Sequence, residues 1–144
     1  MEKLLDESGI SYTLSKINKE FTRYINQQLH QYNITRAEAP ILLTLYSGDG
    51  VTQEYISKCY HLNEGTVTRT VKRMENKGIV ERKSDSKDKR KKLLFITDDG
   101  RKIAEELVRI QDEFEKDLFS SFSEDELDDF KKLTDKLLEN FYSM

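Results

Sequence analysis

Asn63–Ile96 reads NEGTVTRTVKRMENKGIVERKSDSKDKRKKLLFI. Val67, Val71 and Met74 recur at i, i+4 and i+7, so three apolar side chains share one face of a helix running from Glu64 to about Lys77. Asn63 is a good N-cap, because its carboxamide oxygen can take a free N–H of the first turn. Gly78 is a natural stop, because glycine accepts the left-handed conformation that ends many helices. Ile79–Lys83 and Leu93–Ile96 then read as strands, joined by a long, mobile polar tip, SDSKDKRKK. The helix offers Thr66, Thr68, Arg69, Lys72 and Arg73 to solvent, and the tip offers Lys87, Lys89, Arg90, Lys91 and Lys92. A helix beside a basic hairpin suits a nucleic-acid duplex, with one element for each groove.

Charge distribution points the same way. The net charge of −3 divides into −1 over residues 1–51, +6 over 52–96 and −8 over 97–144. Residues 81–92 alone carry seven basic and three acidic side chains. A polyanion-binding protein need not be basic overall; what matters is where the charge sits. At 144 residues the chain has the size of one domain. Apolar runs are only a few residues long, too short to span a bilayer, and MEKLLDESG lacks a signal-peptide core. The single Cys59 allows no internal disulfide. A cytoplasmic protein with no membrane association is expected.

Working outward, Thr52 caps a short helix from Gln53 to about Tyr60, with Tyr55, Ile56, Cys59 and Tyr60 as its expected inner face. Followed by the 63–77 helix, this makes a helix-turn-helix. Upstream, Thr35 and Glu38 form a capping-box pattern opening a helix to about Tyr46. Pro40 predicts a bend there, or a later start. Gly48–Asp49–Gly50 is a turn. Apolar residues from Ile10 to Tyr32 mark a long first helix, with Asn33 as its left-handed end and a fraying turn over 2–9. Downstream, Thr97 opens a helix to about Phe119 with Ile103, Leu107, Ile110, Phe114 and Leu118 inward. Ser123 and Glu126 form a second capping box, opening a last helix that buries Leu127, Phe130, Leu133 or Thr134, Leu137 and Phe141. The expected fold is mostly α with a small β-wing: a winged helix-turn-helix over 34–100, flanked by helices in 1–33 and 101–144, all within one domain.

Three patterns make Thr52–Gly100 resemble the MarR family of regulators: TQEYISKCYHLNEGTVTRTVKRMENKGIVER, the Asp88-Lys89-Arg90 match to an Asp-x-Arg wing motif, and Leu93–Gly100 as a strand-Thr-x-x-Gly entry into a long helix. The flanking helices agree in number and order. The family commonly has Gly where His61 stands, a basic or small polar residue at Glu64, and Ser at Gly65. The resemblance implies an obligate homodimer joined by the first helix and the last two. It implies a transcriptional repressor on a pseudo-palindromic operator, with helix 63–77 in the major groove and wing 83–92 in the minor groove. Arg90 would enter the minor groove and Asp88 would hold the wing by a salt bridge. Lys58, Thr66, Thr68, Arg69, Lys72, Arg73, Lys87, Lys89 and Lys91 would complete the DNA contacts. Family members often bind small phenolic or aromatic effectors beside the dimer helices, and Tyr24, Tyr46 and Tyr55 could border such a crevice. Peroxide sensors of the family carry their cysteine in the first helix, whereas the spacing of Cys59 reads as core.

No nucleophile–base pair, phosphate-binding glycine loop or metal-ligand set is found, and His30 and His61 are isolated. An enzyme, a metal and a cofactor are therefore not expected. The competing reading is an architectural or protein-binding winged-helix dimer without a specific operator.

Overall fold

The computed structural model describes residues 9–144, and the turn expected over 2–9 lies outside it except for Gly9, which is extended. The elements run α1 (Ile10–His30), α2 (Glu38–Ser47), β1 (Val51–Thr52), α3 (Gln53–Tyr60), α4 (Glu64–Asn76), β2 (Val80–Ser84), β3 (Lys92–Ile96), α5 (Asp98–Leu118) and α6 (Glu124–Ser143). They fall into two compact units, one ending at Val108 and one beginning at Arg109.

The first unit is built around α4. Val67, Val71 and Met74 are fully buried, as their spacing predicts, against Ile41, Leu42 and Leu45 of α2, Ile56 of α3 and Leu94 of β3. Burying a side chain of this size is worth about 1.5–3 kcal/mol, so the inner face of α4 anchors the unit while its outer face stays free. Asn63 caps α4 through its side-chain oxygen, which accepts from Gly65 N at 2.8 Å. A Cβ at Gly65 would stand 3.0 Å from that same oxygen, so the glycine leaves room for the cap. Gly78 ends the helix at φ +75°.

The hairpin is antiparallel, pairing Val80 with Ile96, Arg82 with Leu94 and Ser84 with Lys92. A third strand, β1, joins the other edge of β3 by Val51 and Thr52, giving the order β1-β3-β2. Thr52 then serves twice: it ends β1 and caps α3, its hydroxyl oxygen accepting from Tyr55 N at 3.1 Å.

The Thr35–Glu38 bonds form in both directions, Glu38 N to Thr35 Oγ1 at 3.3 Å and Thr35 N to Glu38 Oε2 at 3.1 Å. The α-helix itself starts at Glu38. Pro40 therefore sits in the first turn, where its missing N–H has no intrahelical acceptor to lose. Both Asn33 (φ 55°) and His61 (φ 51°) are left-handed, and His61 takes this conformation where the family commonly has glycine.

The expected inner face of α3 needs correction. Only Ile56 and Ser57 are buried; Cys59 is exposed, Tyr55 is 50% exposed and Tyr60 38%. Ser57 can go inside because its hydroxyl donates to Leu62 O at 3.0 Å. That turns the Tyr55–Cys59 line outward. Tyr60 uses its hydroxyl at the rim, bonded to Pro40 O at 3.1 Å and to Thr44 Oγ1.

α1 buries Leu29 near its end but leaves Ile10, Leu14, Ile17 and Phe21 exposed. Thr97 opens α5 by accepting from Gly100 N at 3.1 Å while donating to Gly78 O at 2.7 Å. Ala104 and Leu107 of α5 complete the first unit's core.

In the second unit, Ser123 and Glu126 form the expected capping box. Phe119, Phe122 and Phe130 gather edge to face with centroids 5.3–6.3 Å apart. The burial expected along α6 is absent within the chain: Leu133 is 66% exposed and Phe141 59%, and Leu118 at the end of α5 is likewise exposed. Amphipathic spacing names a face that wants cover, not what covers it. Among the described residues, no helix is long and apolar enough to cross a membrane.

Candidate nucleic-acid interface

The outer face of α4 and the wing tip are built on opposite principles. The helix is held from below by apolar packing. The tip, Asp85–Lys91, has no core beneath it and is pinned by its own polar groups. Asp85 Oδ1 accepts from Lys87 N and Asp88 Oδ1 from Arg90 N, both at 3.0 Å. Two backbone bonds, Lys91 N to Asp88 O and Asp85 N to Lys91 O, both at 3.0 Å, close the loop. A carboxylate accepting an N–H two residues on is a standard way to set a turn. The two aspartates therefore shape a tip that would otherwise be only lysine, serine and arginine. Asp88 does this through the Arg90 backbone; no ion pair joins their side chains among the described residues.

This leaves the wing cations free. Lys87, Lys89, Arg90 and Lys91 are exposed, and their charged ends meet no carboxylate among the described residues. Lys72 on α4 is likewise exposed and unpaired, and Arg69 is held only by a 3.4 Å bond from its Nη2 to Thr66 Oγ1. By contrast, other basic side chains of the same region are committed inside the protein. Lys58 pairs with Glu54 at 3.0 Å and Arg73 with Glu38 at 3.8 Å. Lys77 pairs with Glu38 at 2.7 Å and Lys83 with Glu81 at 3.7 Å. Free cations held near one another raise the local potential and draw in anions; neutralised ones do not.

Thr68 is exposed at the start of α4, yet its hydroxyl is occupied. It donates to Glu64 O at 2.9 Å and accepts from Gln53 Nε2 at 2.9 Å. A shallow depression of about 330 Å³ lies between the N-terminus of α3 and the wing, bordered by Thr52, Gln53, Arg82, Arg90 and Lys91. Gln53 and Arg82 were not apparent from sequence as part of this face. Their only signal was chemical, an amide and a guanidinium at positions the fold brings together across 29 residues.

Two structural homologues carry DNA in their names. The chain is 31% identical to the Staphylococcus aureus MepR in a MepR–DNA complex, with a TM-score of 0.85 over 94% of this chain and 99% of that one. The crystal structure of MarR superposes with a TM-score of 0.76 at 29% identity, over 94% and 92%. A MarR family model matches residues 32–91. The organic hydroperoxide resistance transcriptional regulator of Bacillus subtilis is 31% identical over 104 residues, covering 72% of this chain and 71% of the relative. The chain belongs to the MarR family. It is a MarR-family transcriptional regulator with the family's winged-helix DNA-binding fold, and the matched segment contains α4 and the wing tip.

The tyrosines suggested as a MarR-type effector site are dispersed by environment. Tyr24 is half-buried on α1, and Tyr46 packs on the core beneath the Arg101 guanidinium, 5.8 Å from its ring centre. Tyr55 is exposed; a hydrogen bond with Cys59 raises its phenol above the ordinary range. None of the three borders the depression beside the wing. Among the described residues, no three His, Cys, Asp or Glu side chains come together as a metal site.

Proposed function

We propose that the protein is a cytoplasmic homodimeric repressor that binds a pseudo-palindromic operator. Helix α4 lies in the major groove and wing residues 83–92 in the minor groove. The observation that carries this reading is the set of exposed, unpaired cations, Arg69 and Lys72 on α4 and Lys87, Lys89, Arg90 and Lys91 on the tip. Arg90 enters the minor groove, where an arginine responds to groove width and A·T content. The lysines contact phosphates, fixing position without reading sequence. Thr66 and Thr68 sit near the start of α4, where base contacts fall in helix-turn-helix proteins. Lys58 and Arg73 each keep a share of their charge on a protein carboxylate, and reach phosphate only by giving it up.

Dimerisation is supported by apolar faces with no cover in the single chain, on α1 (Ile10, Ile17, Phe21) and on α6 (Leu133, Leu137, Phe141). A two-fold pair would present two copies of α4 to a palindrome. The reading extends to a small phenolic or aromatic effector; the half-buried Tyr24 and Tyr46 are better placed to grip one than the exposed Tyr55.

Arg90→Ala tests the wing. Operator affinity is expected to fall by about 1–3 kcal/mol, roughly tenfold to a hundredfold, with the sedimentation behaviour of the dimer unchanged. Unchanged affinity at physiological salt sinks the minor-groove assignment. Footprinting on DNA flanking the gene then separates regulation from architectural binding, which would protect no preferred site.

A further inference from the structure

Arg82 lies on β2 and its guanidinium is engaged on two sides. Nε donates to Glu75 Oε1 at 2.7 Å, with Nη2 also on that oxygen, and Nη1 donates to Gln53 Oε1 at 3.1 Å. Gln53 in turn donates from Nε2 to Thr68 Oγ1 at 2.9 Å. The amide orientation of Gln53 follows from its partners, since a guanidinium can only donate and must face the oxygen. The chain Thr68–Gln53–Arg82–Glu75 therefore touches α4 near its first turn, crosses α3, passes to the wing strand and returns to α4 near its last turn. Its members are half-buried apart from Thr68, and the Arg82 side chain is 25% exposed.

We propose that Arg82 is a positioning residue for DNA binding: it fixes the wing against both ends of the recognition helix without contacting DNA itself. This rests on the reading that α4 and the wing bind one duplex. A duplex fixes the distance between its grooves. A wing free to swing on its two strands loses that freedom on binding, and ordering it costs affinity. Arg82 removes the cost in advance. Its charge is already neutralised by Glu75, so it releases no counterion from DNA, unlike the free lysines of the tip.

That difference makes the role measurable. Binding of the full-length protein to its operator duplex is titrated across a salt series for wild type, Arg82→Ala, Arg82→Lys, Arg90→Ala and the Arg82→Ala/Arg90→Ala double variant. Thermal unfolding checks that each is folded. Arg82→Ala is expected to weaken binding about tenfold with the salt slope unchanged, because no phosphate contact is lost. Arg82→Lys, which can hold Glu75 or Gln53 but not both, is expected to recover part of the loss. The double variant is expected to lose less than the product of the singles, since a loosened wing no longer presents Arg90 well.

A slope shallower by about one unit in Arg82→Ala overturns the proposal in favour of direct phosphate contact. Unchanged affinity, or strictly multiplicative losses, overturns it in favour of a purely structural ion pair. Should Arg82→Ala prove unfolded, Glu75→Gln frees the same guanidinium and is held to the same affinity loss. Failure of wild type itself to bind any duplex overturns the underlying DNA reading instead, a result distinct from each of these.

Discussion

Replacing Lys77 with methionine is expected to lower the unfolding free energy by about 3 kcal/mol. Glu38 is completely buried at the start of α2, and Lys77 Nζ reaches it at 2.7 Å from the end of α4. The same ammonium donates to Asn33 O at 2.6 Å, so it ties the left-handed end of α1 to both helices. Methionine keeps the length and apolar stem but leaves a buried carboxylate with one cation, Arg73, at 3.8 Å. Glu38 Oε1 already has no hydrogen-bond partner, so little is in reserve. The pair is not an argument for stability in itself; removing one half is what is costly. Urea denaturation at fixed protein concentration measures the loss. In Glu38→Gln/Lys77→Met, where the stranded charge is gone, about half or more should return. A single-variant loss below about 1 kcal/mol, with no recovery in the double, would mean that water reaches Glu38 and the pair behaves as a surface one.

Gly100→Ala is the second large effect, and two principles oppose each other there. In an exposed helix interior the change gains about 1 kcal/mol from propensity. Gly100 is buried in the first turn of α5, and an added Cβ would stand 2.2 Å from Ile79 O. That carbonyl already accepts from Thr97 N at 3.1 Å, so relieving the clash disturbs the joint between β2 and α5. Overpacking against backbone costs about 1–3 kcal/mol and occasionally more, so the clash wins and a net loss of about 2 kcal/mol is expected. The wing starts at Val80, next to the displaced carbonyl, so DNA affinity should fall with stability. An alanine variant as stable as wild type would show that the helix can slide away from Ile79.

These two sites mark where sequence reading stopped. Val67, Val71 and Met74 were legible because apolar periodicity records burial directly, and Ser123–Glu126 because a capping box is local. Glu38 was read for its cap and not for its burial, because its partners Lys77 and Arg73 arrive from 35 or more residues away. The same distance hid Gln53–Arg82. β1 was missed because two residues give no alternation to detect. The inner face of α3 was misread because Ser57, polar by letter, is buried by a bond to Leu62 O that only the fold supplies. The basic wing was plain as charge. Which of its cations are free was not, since Arg82 and Lys83 look the same in sequence as Lys89 and Arg90.

The measurement that bears most directly on the account is the salt dependence of binding to duplex DNA. Six unpaired cations per protomer face outward. If about four of them meet phosphate, a dimer neutralises about eight and log K falls with log salt at a slope of about −7. Titrating the intact protein against DNA flanking its own gene and against an unrelated duplex, from low to physiological salt, gives the slope and the preference together. The account predicts a steep slope on both and tighter binding to the flanking DNA. A flat dependence, or no binding to either duplex, would contradict it.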